Sequence, residues 1–338
     1  MKKAVESGQQ FFSVNHRRSM DRRGGLILAL VMVLPSLELL AGTLPVDLRT
    51  TARFGVLAGS GVSSIPTSSV KGDVGLSPAA RSKITGLTAV EVTGAIYAAD
   101  DGGAVAAMLT AAKGDLNTAF IDASPATRPG GIDVSSLGGA AEELGGRTLA
   151  PGVYKSAPGF YNITSLDLVL DGKGDANAVW IFQTSTTLHA LDNRKVLLIG
   201  GAQARNVFWQ VGTSATISTF ASFKGTIMAA QSIAIQTSAA LEGRALAQTG
   251  AVTLDSNAIT IPVIKPLPPT FGPLARAGNG VVTLVITNTP GVTITLQSSA
   301  NLVDWFTIGS PQPSVSPFTM NDANVSAETK RSYRAFYP

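Results

Sequence analysis

The sequence predicts a mainly β protein: a three-sided β-solenoid (β-helix) with one long α-helix packed alongside, followed by a small C-terminal β-sandwich. Three observations predict it. Short apolar runs recur in columns at a spacing near 18 residues between Gly152 and Ile261. One stretch, Ala104 to Ile121, carries helical periodicity. A proline-rich segment from Pro262 to Pro273 then separates a last set of alternating strand-like runs.

Taken in chain order, the first element is a secretion signal. Leu26 to Ala41 is apolar, follows Arg17, Arg18, Arg22 and Arg23, and is broken by Pro35 and Glu38. It is short for a spanning helix, and Ala41 and Gly42 offer a cleavage site, so residues 1–42 are expected to be removed. Met20 stands directly before Asp21-Arg22-Arg23 and is a candidate true start. The chain has 26 Lys+Arg and 22 Asp+Glu; residues 1–42 hold six and three of these, which leaves 20 − 19 = +1 for the mature part. No basic stripe remains to neutralise phosphates, so nucleic acid is not an expected partner. The mature form is expected to be extracellular, a monomer, and not inserted in a membrane.

A helix is expected at about 101–123, because Met108, Ala112, Leu116 and Phe120 recur at period four beside Val105, Leu109 and Ala119. A lone helix must bury its apolar stripe, and the first column of the repeat is apolar in both alternations, so the helix is placed there. Residues 125–146 read as a polar, Gly-rich connection.

The repeat itself has three columns. The first runs through Val179–Gln183, Val207–Val211, Thr226–Ala229 and Arg244–Ala247. Gln183 to Gln210 spans 27 positions, whereas Gln210 to Met228 and Met228 to Leu246 span 18 each. The second holds Thr187–His189, Ala215–Ile217, Ile233–Ile235 and Val252–Leu254; the third holds Val196–Ile199, Ser222–Lys224, Ala240–Glu242 and Ala258–Thr260. Three short strands per 18-residue period describe one coil, and the 27-residue interval is a coil with a turn insertion. An antiparallel sandwich, the alternative, calls for hairpin signals and no columns.

Catalytic chemistry is poorly supplied. Cysteine is absent, and His189 is the only histidine after the signal. No G-x-S-x-G elbow occurs, and His/Cys zinc spacing is missing. Asp73, Asp171 and Asp175 fall in Gly-rich turns and read as backbone caps in preference to calcium ligands. Arg205 and Arg244 suggest a polysaccharide lyase, but no acidic set shares a column with them. No enzyme, metal or cofactor is expected.

In the second column, Leu188, Ala215, Ile217, Ile233, Ile235, Val252 and Leu254 take the inward phase. Thr187, His189, Ser214, Thr216, Ser218, Ala234, Gln236, Thr253 and Asp255 then point outward, with no Lys or Arg among them. Such a set is a flat face able to order water, and equally a plain solvated strand face. Lys195, Lys224 and Glu242 break the flatness of the third column.

From about Ala52 to Ile261 the chain resembles the microbial ice-binding (antifreeze) proteins that have a discontinuous β-solenoid and a flanking helix. The resemblance is carried by Phe54–Ile65, Gly72–Pro78, Ile84–Gly86 and Gly94–Asp100. It continues in Leu149–Tyr154, Gly172–Gln183, Asn206–Gly212, Gly243–Ala247 and Gly250–Asp255, in the family's order. It implies that the N-terminal strands complete the same solenoid, over about 43–264, and that the partner is ice with its ordered water. It further implies that the ice-binding face is the flat one free of the helix. That face then takes in Thr85 and Asn162 at family positions, with Ser63 and Ser64 continuing it. Because His189 and Asp255 are bulkier and more hydrated than Thr, Ser or Ala, moderate activity is expected. After the linker, 265–273, the module 274–338 weakly resembles fibronectin-III-like sandwiches, which implies cell-surface contact. A carbohydrate-binding or adhesive cell-surface solenoid is the alternative, resting on the aromatics Phe160, Tyr161 and Trp305.

Overall fold

Strands turn alternate side chains to opposite faces, so a coil apolar in one phase can close around its own interior. The computed structural model shows this for a stack of parallel rungs. It describes residues 43–263, 269–276, 281–288, 292–313, 316–322 and 331–337; the signal expected over 1–42 and part of the linker lie outside them.

One side of the solenoid is a parallel sheet with nine rungs along its main path: Ile96–Ala98, Asp73–Leu76, Phe54–Ala58, Ala240–Ala247, Ser222–Ala229, Val207–Val211, Trp180–Thr184, Gly152–Lys155 and Ile132–Asp133. The second side has seven rungs, and the third is begun by Thr148–Leu149, Leu168–Asp171 and Val196–Ile199. In two coils the third and first sides merge into single strands, Ser222–Ala229 and Ala240–Ala247, which the columns had separated. The bend falls at Gly225, φ +107°, and Gly243, where an added Cβ would lie 1.8 Å from the Gly225 carbonyl oxygen; only glycine fits two such stacked corners. In the longer coils the same corner carries the insertion, Gly200 to Asn206 in one of them.

Coil length and interior bulk match. The inward column runs Tyr154, Phe182, Trp209, Ile227, Ala245, Val56, Val74 in register. The aromatics fill the long coils: Tyr154 stacks on Phe182 at 5.5 Å and Phe182 on Trp209 at 4.0 Å. The stack runs on into the first 18-residue coil, where Trp209 meets Phe223 at 4.9 Å, and beyond it the column holds Ile, Ala and Val. This is close packing achieved by trading loop length against side-chain volume.

The chain's order is discontinuous. Val56 pairs with Ala245, so the N-terminal coils stack beyond the last C-terminal coil. After Ala98 the chain stands at one end of the stack, and Ile132, its next rung, pairs with Tyr154 at the other. The helix Gly103–Asp122 makes the return: 20 residues at 1.5 Å cover about 30 Å of the roughly 38 Å between those rungs. Leu109, Ala112, Leu116 and Ala119 are buried against Leu57, Ile181, Phe208, Met228 and Leu246. The connection after it is more ordered than its composition suggests, since Ile132–Asp133 is an edge rung and Val134–Leu137 a 3-10 turn.

Two antiparallel sheets form the C-terminal part. Leu284 and Ile286 of one share a cluster with Leu296 of the other, as sandwich packing requires. Among the described residues no helix is long and apolar enough to cross a membrane.

Candidate functional site

The seven-rung side is built from Tyr161–Ile163, Leu188–Ala190, Ala215–Ile217, Ile233–Ile235, Ala251–Asp255, Gly61–Ile65 and Ile84–Thr85. Its central outward residues are in register without a break: Asn162, His189, Thr216, Ala234, Thr253, Ser63 and Thr85. Their inward neighbours, such as Leu188, Ile217, Ile233 and Val252, are at most 1% exposed. That asymmetry fixes the phase, because a slip by one residue would exchange the two sets.

Two flanking columns run beside the ladder. Tyr161 N donates to Thr187 O (2.9 Å), Leu188 N to Ser214 O (3.2 Å) and Ala215 N to Ser232 O (3.0 Å), which aligns Thr187, Ser214 and Ser232. Ala251 and Gly61 continue that column. Ser232 was not among the expected residues, although the 18-residue period from Ser214 points to it. On the other flank lie Leu191, Ser218, Gln236, Asp255 and Ile65. Ile65, 60% exposed, brings an apolar contact that alternation did not single out.

Two expected residues are buried. Ser64 is paired with Leu254 in the inward phase and is 8% exposed; its hydroxyl bonds Ser68 Oγ at 2.9 Å in a polar corner. Ser218 lies on the outward flank but is only 4% exposed, because the His189 ring covers it, with Nε2 3.0 Å from Ser218 Oγ. The two bulky groups of the face are thus engaged. His189 leans on Ser218, and Asp255 accepts Thr237 Oγ1 at 2.5 Å, so its carboxylate turns toward the corner. The Asp255 flank is not flat: Ser63, Ala234 and Thr253 floor a trough of about 570 Å³ edged by Ile65, Gln236 and Asp255.

The remaining surfaces differ. On the third side Lys224 pairs with Glu242 at 2.9 Å. Tyr161, expected as an aromatic platform for sugars, is 0% exposed and packs edge-on against Phe182 at 6.0 Å. Trp305 is covered by the Arg334 guanidinium, 4.3 Å from its ring centre. Asp171 and Asp175 accept the backbone N–H two residues on, at 2.9 and 2.8 Å, as turn caps do. Asp73 instead accepts Ala95 N at 2.9 Å and forms an ion pair with Arg53. Among the described residues no group of His, Asp or Glu is arranged to hold a metal ion.

Comparison with known proteins places this geometry. Residues 56–260 match the family model described as ice-binding-like. The chain is 36% identical over 222 residues to an ice-binding protein of Flavobacterium frigoris, covering 64% of this chain and 76% of the relative. It is 37% identical over 217 residues to one from the yeast Leucosporidium, covering 61% and 80%. Among solved structures, a domain of Shewanella frigidimarina ice-binding protein 1 superposes with a TM-score of 0.60 at 30% identity, covering 66% of this chain and 99% of that one. An Arctic yeast ice-binding protein studied for antifreeze activity gives 0.59 at 34% identity, covering 65% and 95%.

Proposed function

The chain belongs to the ice-binding family, and from that membership we propose that it is a secreted protein that adsorbs to ice through the seven-rung face, inhibiting ice growth and recrystallisation. The observation that carries this reading is the unbroken register of Asn162, His189, Thr216, Ala234, Thr253, Ser63 and Thr85 on the side free of the helix. Short side chains on parallel rungs sit at fixed intervals, roughly 4.8 Å from strand to strand. Methyls of Thr and Ala fit between ordered waters, and the Thr and Ser hydroxyls join that water layer by hydrogen bonds. Each contact is weak. The rungs are joined by a continuous parallel ladder and backed by buried side chains, however, so little entropy is lost on adsorption and all rungs engage together. Ice between adsorbed molecules must then grow with a curved front, which lowers its freezing point.

No catalytic step is needed for this, and the protein is read as a non-enzyme acting as a monomer. The C-terminal sheets serve attachment to the cell surface. The deciding experiment is nanolitre osmometry on the purified chain. A gap between melting and freezing points together with faceted crystals is the expected result; round crystals from folded protein would refute it.

A further inference from the structure

Arg205 and Arg244 lie away from the seven-rung face. Arg244 lies in the outward phase of the helix-covered sheet, in register with Thr226, and is 7% exposed. Its Nε donates to Ala52 O at 2.9 Å, and its Nη1 reaches Thr226 Oγ1 at 3.4 Å. Arg205 lies in the 3-10 turn Ala204–Asn206, and its Nε donates to Gln203 Oε1 at 3.1 Å. Neither forms an ion pair with a carboxylate among the described residues. A guanidinium taken out of water without a counter-charge is costly. Burial accordingly lowers Arg244 to about 10 and lowers Arg205 below its ordinary value.

Both side chains line one cleft of about 520 Å³, where the segment Pro45–Ala52 crosses the solenoid. Arg49 and Asp47 line it too, so its formal charge is 3 − 1 = +2. Arg49 is already served by Asp47 at 3.8 Å and Asp115 at 3.5 Å. Arg205 and Arg244 are left with most of their N–H donors unused. A planar fork of such donors matches the paired oxygens of a carboxylate, sulfate or phosphate.

We propose that this cleft is an oxyanion site, in which Arg205 and Arg244 hold one carboxylate, sulfate or phosphate group in forked hydrogen bonds. Because Arg244 also holds the Ala52 carbonyl, the bound anion fastens the N-terminal segment to the solenoid. The oxyanion has two sources: a free inorganic ion, or the acid group of an extracellular polysaccharide.

The test is thermal unfolding of the full chain in rising sodium sulfate, with ionic strength held constant by sodium chloride. A saturable rise in midpoint is expected, about 3–5 °C at ten times the dissociation constant. Arg205→Gln, at the partly exposed member of the pair, is expected to abolish that rise and to leave ice-crystal shaping unchanged. A midpoint that follows ionic strength alone, or a rise that Arg205→Gln retains, overturns the proposal, since general salting-out acts on both proteins alike. Galacturonate oligomers compared with acetate at equal carboxylate concentration separate the sources. Tighter binding of the oligomer identifies a polysaccharide, and equal binding a free anion.

Discussion

Thr216→Tyr tests the ladder at an inner rung. Thr216 is third of seven rungs, between His189 and Ala234, and half-buried on the outward side. Seven rungs about 4.8 Å apart and three outward columns about 6.8 Å apart give a patch of roughly 29 by 14 Å, or about 400 Å². If half of it is apolar, about 25 cal/mol/Å² for area withdrawn from liquid water sets an upper bound on the order of 5 kcal/mol for the docked face. An upright ring removes its own rung and both neighbours, three of seven, or about 2 kcal/mol and some 30-fold in adsorption. The loss is larger still if the ring props the four remaining rungs away from the ice. Tyrosine suits a strand, so the fold should lose less than about 1 kcal/mol. The assay is the freezing gap at equal protein concentration, with circular dichroism to confirm the fold. Leu197→Tyr is the control: Leu197 is 40% exposed on the third side, and a ring there should change nothing. A folded Thr216→Tyr protein with an undiminished gap would show that this ladder does not meet ice.

Four further outcomes are expected. Phe220 takes a left-handed conformation, φ 58°, with its ring 59% exposed, so Phe220→Asn should raise stability by about 1 kcal/mol in urea melts. Phe182→Ala empties the centre of the aromatic stack and should cost about 3–5 kcal/mol in the same assay. Burial lowers Lys113 from 10.5 to about 8, so the unfolded chain binds more protons between those values and stability should climb as pH rises through that window; Lys113→Met should flatten the climb in urea midpoints. Ending the chain after Val263 should leave ice shaping intact, because all seven rungs lie at or before Asp255.

Much of this was legible in the sequence because stacking in register turns spatial neighbours into fixed sequence intervals. Thr216, Ala234 and Thr253 are separated by 18 and 19 positions, and a single coil period exposes them as one column. The helix was legible for a similar reason: Leu109, Ala112, Leu116 and Ala119 obey a helical period and are buried as it requires. What alternation could not convey is contact across a corner. Ser64 sits beside Ser63 in a run of serines, and only the register to Leu254 and the bond to Ser68 reveal that it faces in. Ser218 obeys the outward phase, yet the ring of a residue 29 positions earlier covers it. The pairing of Val56 with Ala245 likewise has no periodic signature: family resemblance implied only that the N-terminal strands join the same solenoid, and the structure supplies the register.

The three sides share one backbone and differ in their outward residues, and that difference assigns each side its surroundings. The first side turns out Ile181, Phe208, Met228 and Leu246, which cannot face water and are covered by the helix that the discontinuous chain order already needs for its return. The third turns out Lys224 and Glu242, whose hydration keeps liquid water against it. On the proposed function the second has to stay bare and yet not bind liquid water tightly, a combination that Thr, Ala and Ser provide. The β-branch of Thr suits a strand, all three side chains are small and uncharged, and the Thr and Ser hydroxyls are spaced by the rungs and not by flexible stems. An outward lysine at Ala234 would keep the strand and lose the spacing. On this argument the proposed position of the ice face follows from which outward phase is neither apolar enough to require cover nor charged enough to prefer liquid water.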